Sequence, residues 1–510
     1  MQVLQRISAI MFAVAILNGC ASLPKEIEHP TEPSVPALSS TLSDLVDTAR
    51  PEQSKQGTSA VLLQDTGWDA LAQRLALIES AEHSIDIQYY IWNSDNSGKY
   101  LAKRIIAAAD RGVKVRIMLD DINLDEREDL LTALDSHPHI QIRIFNPIPT
   151  RRGVTKWLNF LGDFDRLNRR MHNKSFTVDG AMSIVGGRNI GDEYFDLSDE
   201  INFRDRDVLV IGSVVTDIQA NFGEYWGSRW AYPVSLLGGE ATTELPKLDN
   251  IVAPSSKSYP SLPEGSDVAN TFLKDLMDEM TWVEARYISD QPIPVDVDNT
   301  NKPKETARFL AKLSHLSQQE IVVESAYLIF DDRQLGMLAL LINDGIQVKA
   351  LTNSMVSNDL VTNHSGYAGR RHDMLDHGIQ LFELKPEAQL CVESTRDESK
   401  CAPTTAYGLH AKSVVFDRKV AVIGSFNFNL RSTYLNTESI LVIEDERIAK
   451  GLADDIERAM SEDNSWRLNL DNGDIRWYSG MESWDSEPEA GRWERLQSRF
   501  LQFFPIEKYL

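Results

Sequence analysis

The chain repeats itself once, at the scale of a whole domain. Residues 112–118, which open on Gly112, are echoed at 345–351, and residues 140–147 are echoed at 379–386, offsets of 233 and 239 residues. Repeats so far apart are those of a duplicated domain, not of a solenoid. Around the first copy, apolar residues change period. Leu71, Leu75, Ile78 and Ala81 recur at helical spacing, and residues 85–92 read as a strand. Leu101, Ile105 and Ala108 mark a helix stopped by Gly112, and residues 113–119 read as the next strand. Such alternation predicts βαβ units. The expected fold class is therefore α/β, with two mixed, mostly parallel sheets flanked by helices.

The duplication also carries chemistry. His172, Lys174 and Asp179 return as His410, Lys412 and Asp417, and Gly186, Gly187 and Asn189 return as Gly424, Ser425 and Asn427, all 238 residues apart. A His and a Lys two positions apart on a strand project from the same face. Turn residues follow at Asp179-Gly180 and Asp417-Arg418, so each motif predicts a hairpin that sets Asn189 opposite His172 and Asn427 opposite His410. Each hairpin gathers an imidazole, an ammonium and an amide. If the two copies meet about a pseudo-twofold axis, the combined set is a receptor for a phosphodiester: cations and amides hold the non-bridging oxygens, and the histidines flank phosphorus. Asp179 and Asp417 sit at the turns, away from that centre, and are expected to be structural or orienting groups. No metal is expected, because Lys is not a ligand at neutral pH and each cluster offers one His.

The chain's 510 residues carry 52 Lys and Arg against 76 Asp and Glu, a net charge of −24. That surface repels polyanions, and no nucleic-acid partner is expected. Arg6, the apolar residues 7–17, and then Gly19 and Cys20 read as an export signal over residues 1–20. Pro24, Pro30, Pro33 and Pro36 mark a flexible tether over 21–58. The first repeat is expected over 59–235, a bridging segment rich in Pro, Ser, Asn and Asp over 236–300, and the second repeat with a C-terminal extension over 301–510. Cys391 and Cys401 flank a polar stretch and are expected to form a disulfide after export, with two free thiols as the alternative.

The doubled pattern HxKxxxxD, followed by Gly-Gly/Ser-x-Asn, resembles the phospholipase D superfamily. Residues 87–92, 168–175, 186–194 and 364–368 make the resemblance closest to bacterial cardiolipin synthases of the C type, from about residue 60 to the end. It implies a duplicated phospholipase D fold with one active site between the copies. It also implies that His172 is the nucleophile, forming a phosphohistidine, and that His410 is the general acid and base. Lys174 and Lys412 complete the catalytic set, while Asn189, Asn427 and Ser425 bind substrate. Position 187 is Gly where many relatives carry Ser, which leaves Ser425 as the hydroxyl of the pair. The implied reaction exchanges phospholipid head groups without a cofactor, joining phosphatidylglycerol to a second phospholipid such as phosphatidylethanolamine. Hydrolysis to phosphatidate is the alternative, with a nuclease or a non-catalytic phosphatidate-binding scaffold further behind. Residues 17–20 resemble a bacterial lipobox, making Cys20 the expected lipidation site. Ala21 in place of Asp favours the outer membrane, with the protein facing the periplasm.

Two apolar stretches bear on membrane contact. Between Thr150 and Lys174 lie Arg151, Arg152, Lys156, Arg166, Arg169, Arg170 and Lys174 against Asp163 and Asp165, interleaved with Trp157, Leu158, Phe160, Leu161 and Phe164. Such a segment suits either an anionic membrane surface or a lid packed on the domain. Trp493, Leu496, Phe500, Phe503, Phe504 and Leu510 read as a C-terminal helix stripe packed into the domain.

Overall fold

The computed structural model describes residues 39–52, 57–124, 128–148, 163–237, 248, 250–292, 302–358, 361–502 and 507–509. The expected signal segment and Cys20 lie outside them.

The first repeat contributes β1 (Ser59–Gln64), β2 (Ser84–Tyr89), β3 (Lys114–Asp120), β4 (Ile140–Phe145) and β5 (Ser175–Val178). It continues with β6 (Met182–Gly186), β7 (Ile201–Arg204), β8 (Asp207–Gly212) and β9 (Ala231–Pro233). A connecting strand, β10 (Thr281–Ser289), leads to β11 (Glu320–Ser325), β12 (Gln347–Asn353), β13 (Gln380–Leu384), β14 (Ala406–Leu409) and β15 (Lys412–Phe416). The chain closes with β16 (Val420–Gly424), β17 (Ser439–Glu444), β18 (Ser465–Asp471), β19 (Asp474–Ser479) and β20 (Glu482–Trp484).

Parallel pairing holds at the centre of each half, across β2, β3 and β4 and across β11, β12 and β13. The crossover helices that permit it are Asn96–Asp110, Glu128–Asp135, Asp332–Asn343 and Val361–Asp376. The flanking pairs are antiparallel, so the expectation of mostly parallel sheets is corrected. The cause is the motif itself: hairpins β5–β6 and β15–β16 insert antiparallel pairs beside β2 and β11. Both hairpins turn through two residues of positive φ, Asp179 and Gly180 in one, Asp417 and Arg418 in the other. That is the geometry whose twist matches paired strands. Arg418 adopts the left-handed region without glycine's freedom, a cost of about 1–2 kcal/mol. Its guanidinium is held there by Glu320, Asp454 and Glu457.

The halves are joined edge to edge. The first residues of β10 pair with β1, and residues 284–289 pair with β17, making one continuous sheet of 18 strands. The segment read as a bridge is thus partly core. Its helix Ser266–Glu279 buries Ala269, Leu273 and Met277 against the first repeat. The expected tether is also shorter than its composition implied. Thr41–Ala49 is a helix, started by a reciprocal cap between Ser40 and Ser43 and anchored by buried Leu42 and Val46.

Cys391 and Cys401 are joined in a disulfide, with Cα atoms 5.9 Å apart and both residues buried. The C-terminal helix Arg492–Leu501 corrects another expectation. Trp493, Leu496 and Phe500 are 67%, 57% and 61% exposed, while Ser498 is buried; Phe503, Phe504 and Leu510 lie outside the described residues. The buried side of the C-terminal helix lies against the helix Val361–Asp376. Among the described residues, no helix is long and apolar enough to cross a membrane.

Candidate active site

His172 and His410 enter the site on extended segments, each tied by its backbone to the other half. His172 N donates to Thr437 O at 2.9 Å, and His410 N donates to Arg204 O at 2.8 Å. Both imidazoles are nearly enclosed, at 7% exposure of the side chain. The edge of Tyr90 meets His172 with centroids 4.7 Å apart, and Tyr194 meets His410 at 5.0 Å.

Each ring is clamped by a carboxylate. His172 Nδ1 lies 2.8 Å from Glu438 Oε2 and 3.0 Å from Ser425 O. His410 Nδ1 lies 2.5 Å from Asp205 Oδ2. The clamps are crossed: Glu438 belongs to the second repeat and holds the first repeat's histidine, and Asp205 does the reverse. A carbonyl and an ionised carboxylate only accept, so the proton of each neutral ring sits on Nδ1 and Nε2 keeps its lone pair. Burial is the main cause that pushes His172 down to about 4; Glu438 opposes it, and the ammonium of Lys174 adds to it. His410 is pushed down to about 3 by burial and then by Lys412, against Asp205. Although burial alone would raise Asp205 and Glu438, the neighbouring histidines and lysines hold both below the usual carboxylate range.

The lysines lie beside the histidines as their spacing requires. Lys174 Nζ donates to His172 O at 2.7 Å, and Lys412 Nζ donates to His410 O. Burial lowers Lys174 to about 7, with Glu438 opposing and Lys412 adding to the fall. Two buried cations facing the same centre repel each other, and an anion between them relieves that repulsion.

The remaining motif residues divide in role. Asn189 accepts from Ile91 N at 3.3 Å and donates to the Tyr194 hydroxyl at 3.1 Å. Asn427 Oδ1 is buried with no hydrogen-bond partner among the described residues. Ser425 Oγ donates to Glu438 Oε2 at 2.6 Å and accepts from Ser439 N at 2.9 Å, so its hydroxyl braces the clamp on His172. At the matching position, a Cβ on Gly187 would lie 2.5 Å from Asp205 Oδ1. Asp179 accepts from the backbone N–H groups of Glu82, His83 and Ser84, and Asp417 from those of Gln318, Gln319 and Glu320. Both aspartates are thus spent at the starts of β2 and β11.

Sequence reasoning missed three acids of the site. Glu438 and Asp205 are the clamps. Asp290, directly after β10, positions Glu438 by exchanging two backbone contacts with it: Asp290 N donates to Glu438 O at 2.9 Å, and Glu438 N donates to Asp290 Oδ2 at 3.0 Å. An acid just before the strand that follows each motif was the available signal, but the two clamps stand 233 residues apart and so miss the 238-residue offset of the motifs.

The basic stretch before His172 is largely turned inward. Arg170 is buried and donates to Asp120 at 3.1 Å, and Lys174 is in the site. Arg166 is bound to Asp163 and Asn146, and the guanidinium of Arg169 to Asp165 O. These four are therefore not a membrane face, because the protein's own acceptors use them. Arg151, Arg152, Lys156, Trp157, Leu158, Phe160 and Leu161 lie outside the described residues.

Comparison with known proteins agrees with this geometry. The family described as "Cardiolipin synthase, PLD-like domain" matches residues 75–226 and 310–460. Cardiolipin synthase C of Escherichia coli K12 is 37% identical over 453 residues, covering 86% of this chain and 93% of the relative. Cardiolipin synthase A of Pseudomonas entomophila is 26% identical over 390 residues, covering 76% of this chain and 65% of the relative. Among solved structures, phosphatidylserine synthase of Haemophilus influenzae Rd KW20 shares the fold, with a TM-score of 0.57 at 14% identity, covering 91% of this chain and 100% of the other. With its repeats matched in turn and the Escherichia coli relative covered over 93% of its length, this chain belongs to the phospholipase D superfamily, in the family of cardiolipin synthase-like proteins.

Proposed function

We propose that this phospholipase D-type phosphatidyltransferase makes cardiolipin, taking phosphatidylglycerol and a second phospholipid as substrates. The observation that carries the reading is the pair of crossed clamps, which leaves each histidine with an unprotonated Nε2 beside a buried ammonium. In the first step His172 Nε2 attacks phosphorus, and the bond to the leaving head-group oxygen breaks. His410 Nε2 donates its proton to that alkoxide. Burial first, and then the two ammoniums, hold His410 low; a bound phosphodiester anion offsets the ammoniums and favours a proton on its Nε2. In the second step His410 takes the proton of the incoming head-group hydroxyl, whose oxygen displaces His172 from phosphorus. One phosphodiester replaces another, so the exchange is nearly balanced in energy and needs no nucleotide.

Lipidation at Cys20 is part of the proposal, holding the enzyme at the periplasmic face of the outer membrane. Vesicles of labelled phosphatidylglycerol, with and without phosphatidylethanolamine, test the reaction when products are read by mass spectrometry. Cardiolipin with release of glycerol or ethanolamine is the expected result. Phosphatidate alone would replace transfer by hydrolysis.

A further inference from the structure

The C-terminal helix Arg492–Leu501 is amphipathic in the reverse sense from a helix that packs its apolar stripe into a core. Trp493, Leu496 and Phe500 follow one another at helical spacing and form an apolar stripe on the exposed side. Arg492 and Arg499 are exposed along one border of that stripe, while Ser498 is buried beneath it. A Trp, Leu and Phe stripe edged by arginine is the composition of a helix that lies in a bilayer interface. The helix carries Arg492, Arg495 and Arg499 against Glu494, a net +2 within a chain of −24, and Arg499 also lines a cavity with Asp471, Asp474, Asp485 and Glu487.

The helix also has a route to the active site. Residues 507–509 beyond it dock on the approach to His172. Tyr509 O accepts from Arg431 Nη1 at 3.0 Å, and Arg431 Nη2 donates to Asn168 O at 3.1 Å. The Tyr509 ring meets Phe164 with centroids 5.0 Å apart. Residues 507–509, which follow the helix in the sequence, are therefore held on the segment that leads into the catalytic motif.

We infer that this face is a docking surface for a bilayer containing anionic phospholipid, setting the site against the lipid from which substrate is drawn. The inference rests on a lipid substrate, as proposed above, but its test does not require turnover. The full chain carrying Cys20→Ser, which removes the acylation site, is floated with vesicles of phosphatidylcholine with and without phosphatidylglycerol. Trp493→Glu with Leu496→Glu should weaken flotation by at least about tenfold. Arg492→Glu with Arg499→Glu should abolish the added binding conferred by phosphatidylglycerol and its sensitivity to salt. Because these side chains face outward, the melting temperature should stay within about 2 °C of the parent. Hydrolysis or transfer on a short-chain soluble phospholipid should be retained. Unchanged flotation in both variants overturns the inference, whether or not cardiolipin is made. So does a stripe that instead holds two copies of the chain together, seen as a dimer lost on Trp493→Glu with vesicle binding intact.

Discussion

Glu438 holds the Nδ1 atom of His172 at 2.8 Å from a position 266 residues away, in the opposite half of the chain. The corresponding contact, Asp205 to His410, spans 205 residues in the reverse direction. Neither half owns a complete histidine site, and each supplies the orienting acid for the other.

Removing one clamp should therefore injure one half-reaction. Glu438→Gln is expected to lower kcat by about 10²–10⁴ with little change in KM, by loosening the tautomer and aim of His172. Rapid-quench measurement should show slow formation of the phosphoenzyme. Asp205→Asn should let the phosphoenzyme form and then persist. Identical kinetics in the two variants would contradict the division of roles.

The histidines themselves make the sharper distinction. His172→Ala should abolish labelling of the protein by phospholipid phosphorus, whereas His410→Ala should still trap label at His172 while turnover collapses. Peptide mapping reads the site directly, and label on His410 would exchange the two roles.

The dependence on pH follows from burial. kcat/KM should fall below about pH 4, as the proton taken up by His172 removes the nucleophile's lone pair, and again above about pH 7, as Lys174 loses its charge. A bound phosphodiester favours the ammonium, so the alkaline limb of kcat should lie higher than that of kcat/KM. Lys174→Arg should remove that limb. Stability has its own acid dependence: between the ordinary histidine value of 6.5 and about 4, the unfolded chain binds the His172 proton and the folded chain does not. Stability should therefore decline as pH falls through that window, measurable as a falling denaturant midpoint.

Gly187 provides a steric test. A side chain there meets Asp205 Oδ1 at 2.5 Å, so Gly187→Ala should push Asp205 off His410 and slow the second step. Ser425→Ala is the matched change on the other side. It creates no clash and removes one hydrogen bond to Glu438, an effect of about 1–2 kcal/mol on the first step. Single-turnover kinetics separate the two steps.

The disulfide should govern stability more than catalysis. Cys391 and Cys401 should resist alkylation until reductant is added, and their reduction should cost about 2–3 kcal/mol by the loop-closure argument. Thermal melts with and without reductant check the loss, and kcat on a soluble substrate should change little.

What could be read from sequence was what the duplication marked. His172, Lys174 and Asn189 have partners at one constant offset, and the two-residue spacing on a strand fixes their common face. The clamps carry no such mark, because Asp205 follows His172 by 33 residues and Glu438 follows His410 by 28. They converge only through pairing across the halves. Periodicity likewise located the stripe through Trp493, Leu496 and Phe500, but a period does not say which side of a helix faces water. The direction shows only in the packing, where Ser498 is buried and the helix lies against Val361–Asp376. Around Thr41–Ala49, the prolines upstream dominated the composition and obscured a helix whose only strong local signal is Ser40 with Ser43.

The shared strand β10 acts as a gauge between the halves. It is gripped by β1 at one end and by β17 at the other, and it delivers Asp290 to the backbone of Glu438. Side chains on a strand change face with every residue, so deleting one residue from 281–289 would force a choice. The strand keeps its register with β1 and withdraws Asp290 by about 3.3 Å, or keeps Asp290 in place and turns its apolar side outward. In either case the error reaches His172 through Glu438, although every residue of the two motifs is intact. The tolerance of this enzyme to insertions and deletions is thus set by a segment that reads, letter by letter, as a linker.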